Sequence, residues 1–244
     1  DHMVEASSTD WVGLALVVGP GGIGSAVAAE LRRSCPGLKV LTAGRHGPSA
    51  CSLRLDIEND SDLDGLAATL RTQTLPLRLV FNCTGRLHGP ELHPEKRLQQ
   101  VDRFQLEQQF GINAIAPILL AKAIEPLLER DQPFHFASLS ARVGSIGDNR
   151  SGGWYGYRAA KAAQNQLLRS LSIEWSRRWP LATVSLLHPG TTDTALSRPF
   201  QSFVAPEKLF TPERAARQLV EVLLQQTPAK SGSFLAWDGQ SIDW

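Results

Sequence analysis

The chain has 244 residues, with 25 Lys plus Arg against 24 Asp plus Glu, a formal charge of +1. At about 150 residues per domain this is one or two domains, with a core large enough to need no staples. A composition 42% apolar and 20% charged speaks against disorder, and the near-neutral balance against a nucleic-acid module. Cys35, Cys51 and Cys83 are too widely spaced for a disulfide framework or a CxxC zinc motif, which suits a reducing, cytoplasmic setting. No stretch approaches the ~20 apolar residues of a membrane span. No basic region followed by an apolar segment suggests a signal peptide. Asp1-His2-Met3 is read as a cloning remnant, leaving residues 4–244 for the fold.

The predicted elements alternate along the chain. Trp11–Val18 is a short, continuous apolar run that reads as a buried strand. A glycine-rich turn follows, then a helix carrying Val27, Ala28 and Leu31 on one face. Leu38–Ala43 and Ser52–Ile57 are the next strands. A helix opened by Glu58, Asp60, Asp62 and Asp64 comes after them, acids that suit a helix N-terminus. Leu77–Cys83 is the fourth strand, with a polar loop from Gly85 to Glu95 behind it. A long helix spans roughly Arg103–Glu129 and must absorb Pro117 and Pro126 as kinks. Phe134–Ser138 is the fifth strand, Arg142–Trp154 a Gly-rich loop, Tyr155–Arg178 a long helix and Ala182–Leu187 the sixth strand. Ala195–Phe210 has two prolines and no period, and reads as a mobile loop. Thr211-Pro212-Glu213 opens the last helix, and Ser233–Trp237 is the last strand. Such alternation implies a single doubly wound α/β domain, a seven-stranded parallel sheet with helices on both faces.

Gly19, Gly21 and Gly24 form GxGxxG at the first strand–helix joint, with Gly22 and Ile23 between them. The first glycine permits the turn and the second lets a pyrophosphate approach the backbone. The third lets helix and strand pack closely. Free N–H groups and the dipole at the helix start attract phosphate. At the end of the second strand an acid would hold a ribose 2′-hydroxyl, but the chain reads Thr42-Ala43-Gly44-Arg45-His46. Arg45 would instead attract a 2′-phosphate, which favours NADP(H) over NAD(H).

The chain has two tyrosines, Tyr155 and Tyr157, and only the second has a lysine four residues on. Tyr157 and Lys161 thus lie one helical turn apart on one face. A phenol with a pKa near ~10 is a poor acid–base group at neutral pH. Lowering it to about 7, with help from the ammonium and a positive nicotinamide ring, costs ~4 kcal/mol. The pair suits proton transfer at an alcohol oxygen while hydride moves at its carbon. His88, His93 and His135 form no metal-ligand pattern, and no metal is expected.

These motifs together resemble the short-chain dehydrogenase/reductase family across essentially the whole chain, which implies a Rossmann-type domain. The resemblance puts an adenine contact at Asp56-Ile57. It aligns Asn82-Cys83-Thr84-Gly85 with the family's strand-end turn, so that Asn82, Thr84 and Gly85 border the cofactor. It places at Asn113 a helix asparagine that helps hold a relay water, and at Tyr157 and Lys161 the catalytic pair, with Lys161 also on the nicotinamide ribose. Pro189-Gly190-Thr191-Thr192-Asp193-Thr194 resembles the family's Pro-Gly segment, where Thr192 faces the nicotinamide amide and Thr194 the phosphates. Val143–Asn149, Pro94–Arg97 and Asp238–Trp244 look like the C-factor and Sniffer-type carbonyl reductase branch.

The serine region departs from the pattern. The family ends its fifth strand with two serines, the second polarising the substrate carbonyl. Here Ser138-Leu139-Ser140-Ala141-Arg142-Val143-Gly144 puts Ala141 at that place. Either Ser140 serves, or Ser145 does from the loop, or the hydroxyl is missing; Ser140 is the favoured choice. Trp154 flanks the pair as a candidate pocket wall, and Phe200, Phe203, Val204 and Phe210 make an apolar loop expected to act as a lid. The expectation is an NADP(H)-dependent enzyme interconverting a small carbonyl and alcohol, with no nucleic-acid or membrane partner. The resemblance implies a homodimer or homotetramer built on the two long helices. The rival readings are an NADP-binding signalling or regulatory protein with little turnover, and epimerisation or dehydration on the same fold.

Overall fold

The computed structural model describes residues 11–46, 52–192, 194 and 196–244, with the backbone alone at Phe203. The expected remnant Asp1-His2-Met3, and Cys51, Asp193 and Ala195, lie outside these residues. Among the described residues the strands are β1 (Gly13–Val18), β2 (Leu38–Gly44), β3 (Leu53–Arg54), β4 (Leu77–Asn82), β5 (Phe134–Leu139), β6 (Ala182–His188) and β7 (Ser233–Ala236). They form one sheet in the order β3-β2-β1-β4-β5-β6-β7, and every pairing is parallel.

Burial on both faces explains the continuous apolar runs. Along β1, Leu14, Leu16 and Val18 enter one core layer while Ala15 and Val17 enter the other. The first layer is roofed by α2 (Asp60–Arg71), α4 (Ala116–Ile124) and α5 (Tyr155–Arg178), the second by α1 (Gly24–Ser34) and α6 (Pro212–Gln225). Trp175 is wholly buried in the first layer, edge-on to Phe134 and Phe136 at 5.9 and 6.1 Å between ring centroids. Its indole N–H donates to Glu125 at 2.8 Å, so the large ring is buried without an orphaned donor.

Three elements differ from the sequence reading. β3 is two residues long rather than Ser52–Ile57, because Asp56 is drawn into a turn: its N–H donates to the Asp62 carboxylate and its own carboxylate accepts from Glu58 N. The helix expected over Arg103–Glu129 is divided into α3 (Arg103–Phe110), a π-helical segment Gly111–Ile115, α4, and a 3-10 turn Glu125–Leu127. Pro117 has no N–H to give the Asn113 carbonyl, the bond an α-helix requires, and the wide turn just before it bonds Ala116 N to Gly111 O. The loop Ala195–Phe210 contains 3-10 turns at Arg198–Phe203 and Pro206–Lys208, each begun by a proline in the first turn.

Contrary to expectation, the helical run Arg103–Leu127 is long and apolar enough, by length and composition, to cross a membrane. Here its apolar face serves the core, with Leu120, Ala121 and Ile124 wholly buried against the sheet. The acidic run does start a helix, with Asn59 capping Asp62 N, and Thr211 caps Arg214 N ahead of Pro212 as the pattern predicts.

Candidate active site

Strand order reverses between β1 and β4, and a cavity of about 1560 Å3 opens at the carboxyl ends of the strands on that line. It exceeds the roughly 300–1,000 Å3 of an ordinary small-ligand pocket, leaving room for a dinucleotide and a second molecule. The glycine loop forms its floor. Gly19 has φ +86°, a left-handed conformation that glycine adopts without strain. A Cβ at Gly21 would meet nothing within 4 Å, so this backbone lies open to the cavity, whereas one at Gly24 would stand 1.8 Å from Gly19 O. The second glycine therefore leaves space for a pyrophosphate while the third closes helix against strand. These residues fit a dinucleotide. Gly22, Ile23, Thr192 and Thr194 line the same cavity, and a Cβ at Gly22 would lie 3.5 Å from the Thr194 methyl.

Arg45, Asp56 and Ile57 line the cavity beyond β2 and β3. Arg45 is exposed there, while the neighbouring Arg86 is already paired with Glu58 at 3.3 Å. Thr84, Gly85, Pro189 and Gly190 also reach the wall. Asn82 does not. It is wholly buried, donates to Ser138 Oγ at 3.0 Å and accepts from Thr84 Oγ1 at 2.7 Å. Its expected cofactor contact is corrected to an indirect role: it ties β4 to β5 and fixes the Thr84 turn. Asn113 is likewise off the wall. Its Oδ1 accepts from Arg86 N at 3.1 Å, and its Nδ2 donates to Arg86 O at 2.8 Å and Gln109 Oε1 at 2.7 Å. The π-helical segment delivers Asn113 to the Gly85-Arg86 backbone, where a Gly85 Cβ would lie 3.4 Å from Asn113 Oδ1 and 3.5 Å from Lys161 Nζ.

Tyr157 and Lys161 share a buried face of α5 on the cavity wall, with Nζ 5.9 Å from the ring centroid. Nζ donates to Leu139 O at 3.1 Å, and burial pushes the ammonium down to about 8. The expected lowering of the phenol is not what the protein alone produces. Burial pushes Tyr157 up, since surroundings of low polarity penalise the phenolate. The helix start is set from afar: Glu95 O accepts from Trp154 N, and Glu95 Oε2 accepts from Gly156 N at 3.0 Å. Trp154 holds φ +49°, a left-handed conformation costing a non-glycine residue about 1–2 kcal/mol, which turns its ring toward Tyr157.

Of the three readings for the serine, the structure separates two. Ser140 lies on the wall beside Ala141 and Leu139. Ser145 lies behind it, buried, accepting from Asp148 N at 3.1 Å and donating to Trp244 O at 3.4 Å. Ser140 Oγ donates to Asn165 Oδ1 at 2.7 Å, while Asn165 Nδ2 is buried with no partner. Turning that carboxamide over would let Nδ2 donate to Ser140 and free the hydroxyl hydrogen for a ligand. Ser138 is engaged with Gln164 at 2.7 Å. Asn165, Gln164 and Glu95 were missed from sequence. The first two had a signal, polar residues three and four positions after Lys161 on the buried face of an Ala/Leu-rich helix.

Aromatic side chains complete the wall. Phe200 packs 5.0 Å from Trp154 and 6.1 Å from His88, and Phe210 packs 5.0 Å from Trp237. His88 Nε2 lies 3.0 Å from Leu196 O, so the 196–210 segment is seated against the cavity mouth. His188 is pushed down to about 4, chiefly by burial and then by Arg142, with Asp238 opposing. Its ring is neutral at pH 7 and its Nδ1 accepts from Arg142 N at 3.2 Å. Among the described residues no cluster of three or more His, Cys, Asp or Glu is placed to hold a metal.

The family model described as enoyl-(acyl carrier protein) reductase matches residues 21–242. A relative from Rhodococcus sp. (strain AD45), 1-hydroxy-2-glutathionyl-2-methyl-3-butene dehydrogenase, is 32% identical over 190 residues, covering 78% of each chain. Carbonyl reductase Sniffer of D. melanogaster superposes with a TM-score of 0.81 over 96% of this chain and all of that one, at 24% identity. A short-chain dehydrogenase/reductase from Burkholderia multivorans with bound NADP superposes with a TM-score of 0.76 at 25% identity, over 96% of this chain and all of that one.

Proposed function

Because the chain belongs to the short-chain dehydrogenase/reductase family, we propose that it is an NADP(H)-dependent oxidoreductase that reduces a carbonyl to an alcohol, or the reverse. The observation that carries this reading is the Tyr157–Lys161 pair and Ser140 on one wall of a cavity whose floor is the open glycine loop. The Burkholderia neighbour's bound NADP and the exposed Arg45 support the phosphorylated cofactor. The Rhodococcus relative's name describes a dehydrogenase of a glutathionyl-bearing alcohol, which supports alcohol–carbonyl chemistry.

Gly19, Gly21 and Gly22 would hold the pyrophosphate, Thr192 and Thr194 would flank it, and Lys161 would reach the ribose. When bound, the dihydronicotinamide supplies the hydride, the electron pair that becomes the new C–H bond. Ser140 holds the carbonyl oxygen, with Asn165 setting the serine's hydrogen. Tyr157 gives its proton to that oxygen as the C=O π bond breaks, so the O–H bond forms from the phenol. Its raised pKa keeps the proton in place through neutral pH, as an acid for the reductive direction requires. Lys161 then stabilises the phenolate until water returns the proton. Asn113 keeps the Gly85-Arg86 backbone against this corner, and the 196–210 segment excludes water.

Phe104, Ile115, Leu167 and Ile173, on the two long helical elements, are 37–50% exposed. We propose that two or four copies associate there, which light scattering at micromolar concentration checks; a monomer refutes it. The function is tested by NADPH oxidation across aldehydes, ketones and quinones. Tyr157→Phe should lower turnover by roughly 10²–10⁴-fold while NADPH affinity is retained. Retained turnover overturns the assignment.

A further inference from the structure

The cavity lining is unevenly charged. Toward the glycine loop, Arg45 and Arg86 stand with Asp56 and Glu58. The rest of the lining carries Lys96, Arg142, Arg150, Arg158 and Lys208, against one carboxylate, Asp148, and Lys96 and Arg158 both adjoin Gly153 beside Trp154. These five cations come from separate parts of the chain: the segment after Glu95, the turn after β5, the 148–153 loop, α5 and the 196–210 segment. Among the described residues none of the five lies within 4.0 Å of a carboxylate, whereas Arg33, Arg54, Arg86 and Arg178 do. Arg158 is half-buried, and its Nε donates to Gly153 O at 3.0 Å, which holds the guanidinium beside Trp154. Trp154 packs edge-on to Tyr157, with ring centroids 6.3 Å apart, and Phe200 packs on Trp154, so an apolar aromatic surface runs from Tyr157 toward Arg158.

Unpaired like charges lining one cavity repel one another and raise the local concentration of anions. The cofactor phosphates do not account for them, since those belong at the glycine loop. Building on the reductase reading above, we infer that the substrate is an amphipathic ketone or secondary alcohol with a carboxylate at its far end. The reacting carbon lies at Tyr157, the apolar body lies on Trp154 and Phe200, and the carboxylate meets these cations. Exposed cations act through partly screened attraction, so the carboxylate improves capture of the substrate more than the chemical step.

The test compares 4-oxo-4-phenylbutanoate with its neutral amide, 4-oxo-4-phenylbutanamide, under saturating NADPH. Wild type should show kcat/KM about tenfold higher for the carboxylate, mostly through KM, with the ratio shrinking toward one as NaCl rises to about 0.5 M. In Arg150→Gln and Lys208→Gln the carboxylate-to-amide ratio should fall about threefold or more. Calorimetry on the NADP+-loaded protein should show the carboxylate's Kd weakening by the same factor. A wild-type ratio near one, or one indifferent to salt, overturns the inference while turnover of the amide upholds the reductase reading. Variants that leave the ratio unchanged overturn the assignment to these cations. Turnover of neither ketone overturns this inference, while NADPH oxidation with any other carbonyl of the panel upholds the reductase reading.

Discussion

Replacing Lys161 by methionine should change stability in a pH-dependent way that isolates the cost of burying its charge. Lys161 is 2% exposed, and burial lowers its pKa from the ordinary 10.5 to about 8. Below about pH 8 folded and unfolded chains both carry the proton, and the folded state bears the full cost of the buried ammonium. Between about 8 and 10.5 the folded chain releases a proton that the unfolded chain still holds, so stability rises with pH. At ~1.4 kcal/mol per pH unit the window is worth about 3 kcal/mol. Methionine retains the apolar stem and similar volume. Leu139 O keeps a donor, because Gln164 Nε2 also reaches it at 3.1 Å. Relative to wild type, Lys161→Met should therefore be about 3 kcal/mol better placed at pH 7 than at pH 10.5. Urea unfolding of the cofactor-free proteins at intervals across that range measures the difference, in which titrations common to both chains cancel. A difference that stays flat with pH would refute the burial argument.

Three further outcomes follow from the geometry. Gly24→Ala places a Cβ 1.8 Å from Gly19 O, so the turn must open; a loss of about 3 kcal/mol or more in unfolding experiments and a large loss of NADPH affinity are expected, and wild-type affinity would contradict the packing role. Asn165→Ala should lower kcat about tenfold with little change in KM, and adding it to Ser140→Ala should cost no more than the single serine change; additive losses would deny that Asn165 acts through Ser140. Limited proteolysis within 196–210 should slow when NADPH binds, and identical cleavage rates would count against closure of that segment.

Much of the fold was legible because its signals are local. The apolar run of β1, the caps at Asn59 and Thr211, and the proline that follows Thr211 each act within a few residues. So does the glycine spacing at positions 19, 21 and 24, where the turn, the open backbone and the helix contact are properties of one short segment. Pro117 marks a kink in the sequence, yet its consequence, a π-helical segment that carries Asn113 to Arg86, depends on a partner 27 positions away. The same limit applies to the serine. Counting residues left Ser140 and Ser145 as alternatives, and what separates them is the contact of Ser145 with Trp244, 99 positions on, and of Ser140 with Asn165.

Sequence by itself determined the strand–helix alternation, the dinucleotide loop and the identity of the one tyrosine with a lysine a turn beyond it. Only the tertiary structure decided which groups reach the cavity, that burial by the protein alone raises the Tyr157 phenol, and that five cations from separate parts of the chain line one cavity. Turn geometry and periodicity are set by neighbours along the chain. Desolvation and charge are set by neighbours in space, and those are brought together only when the sheet and its helices close around the site.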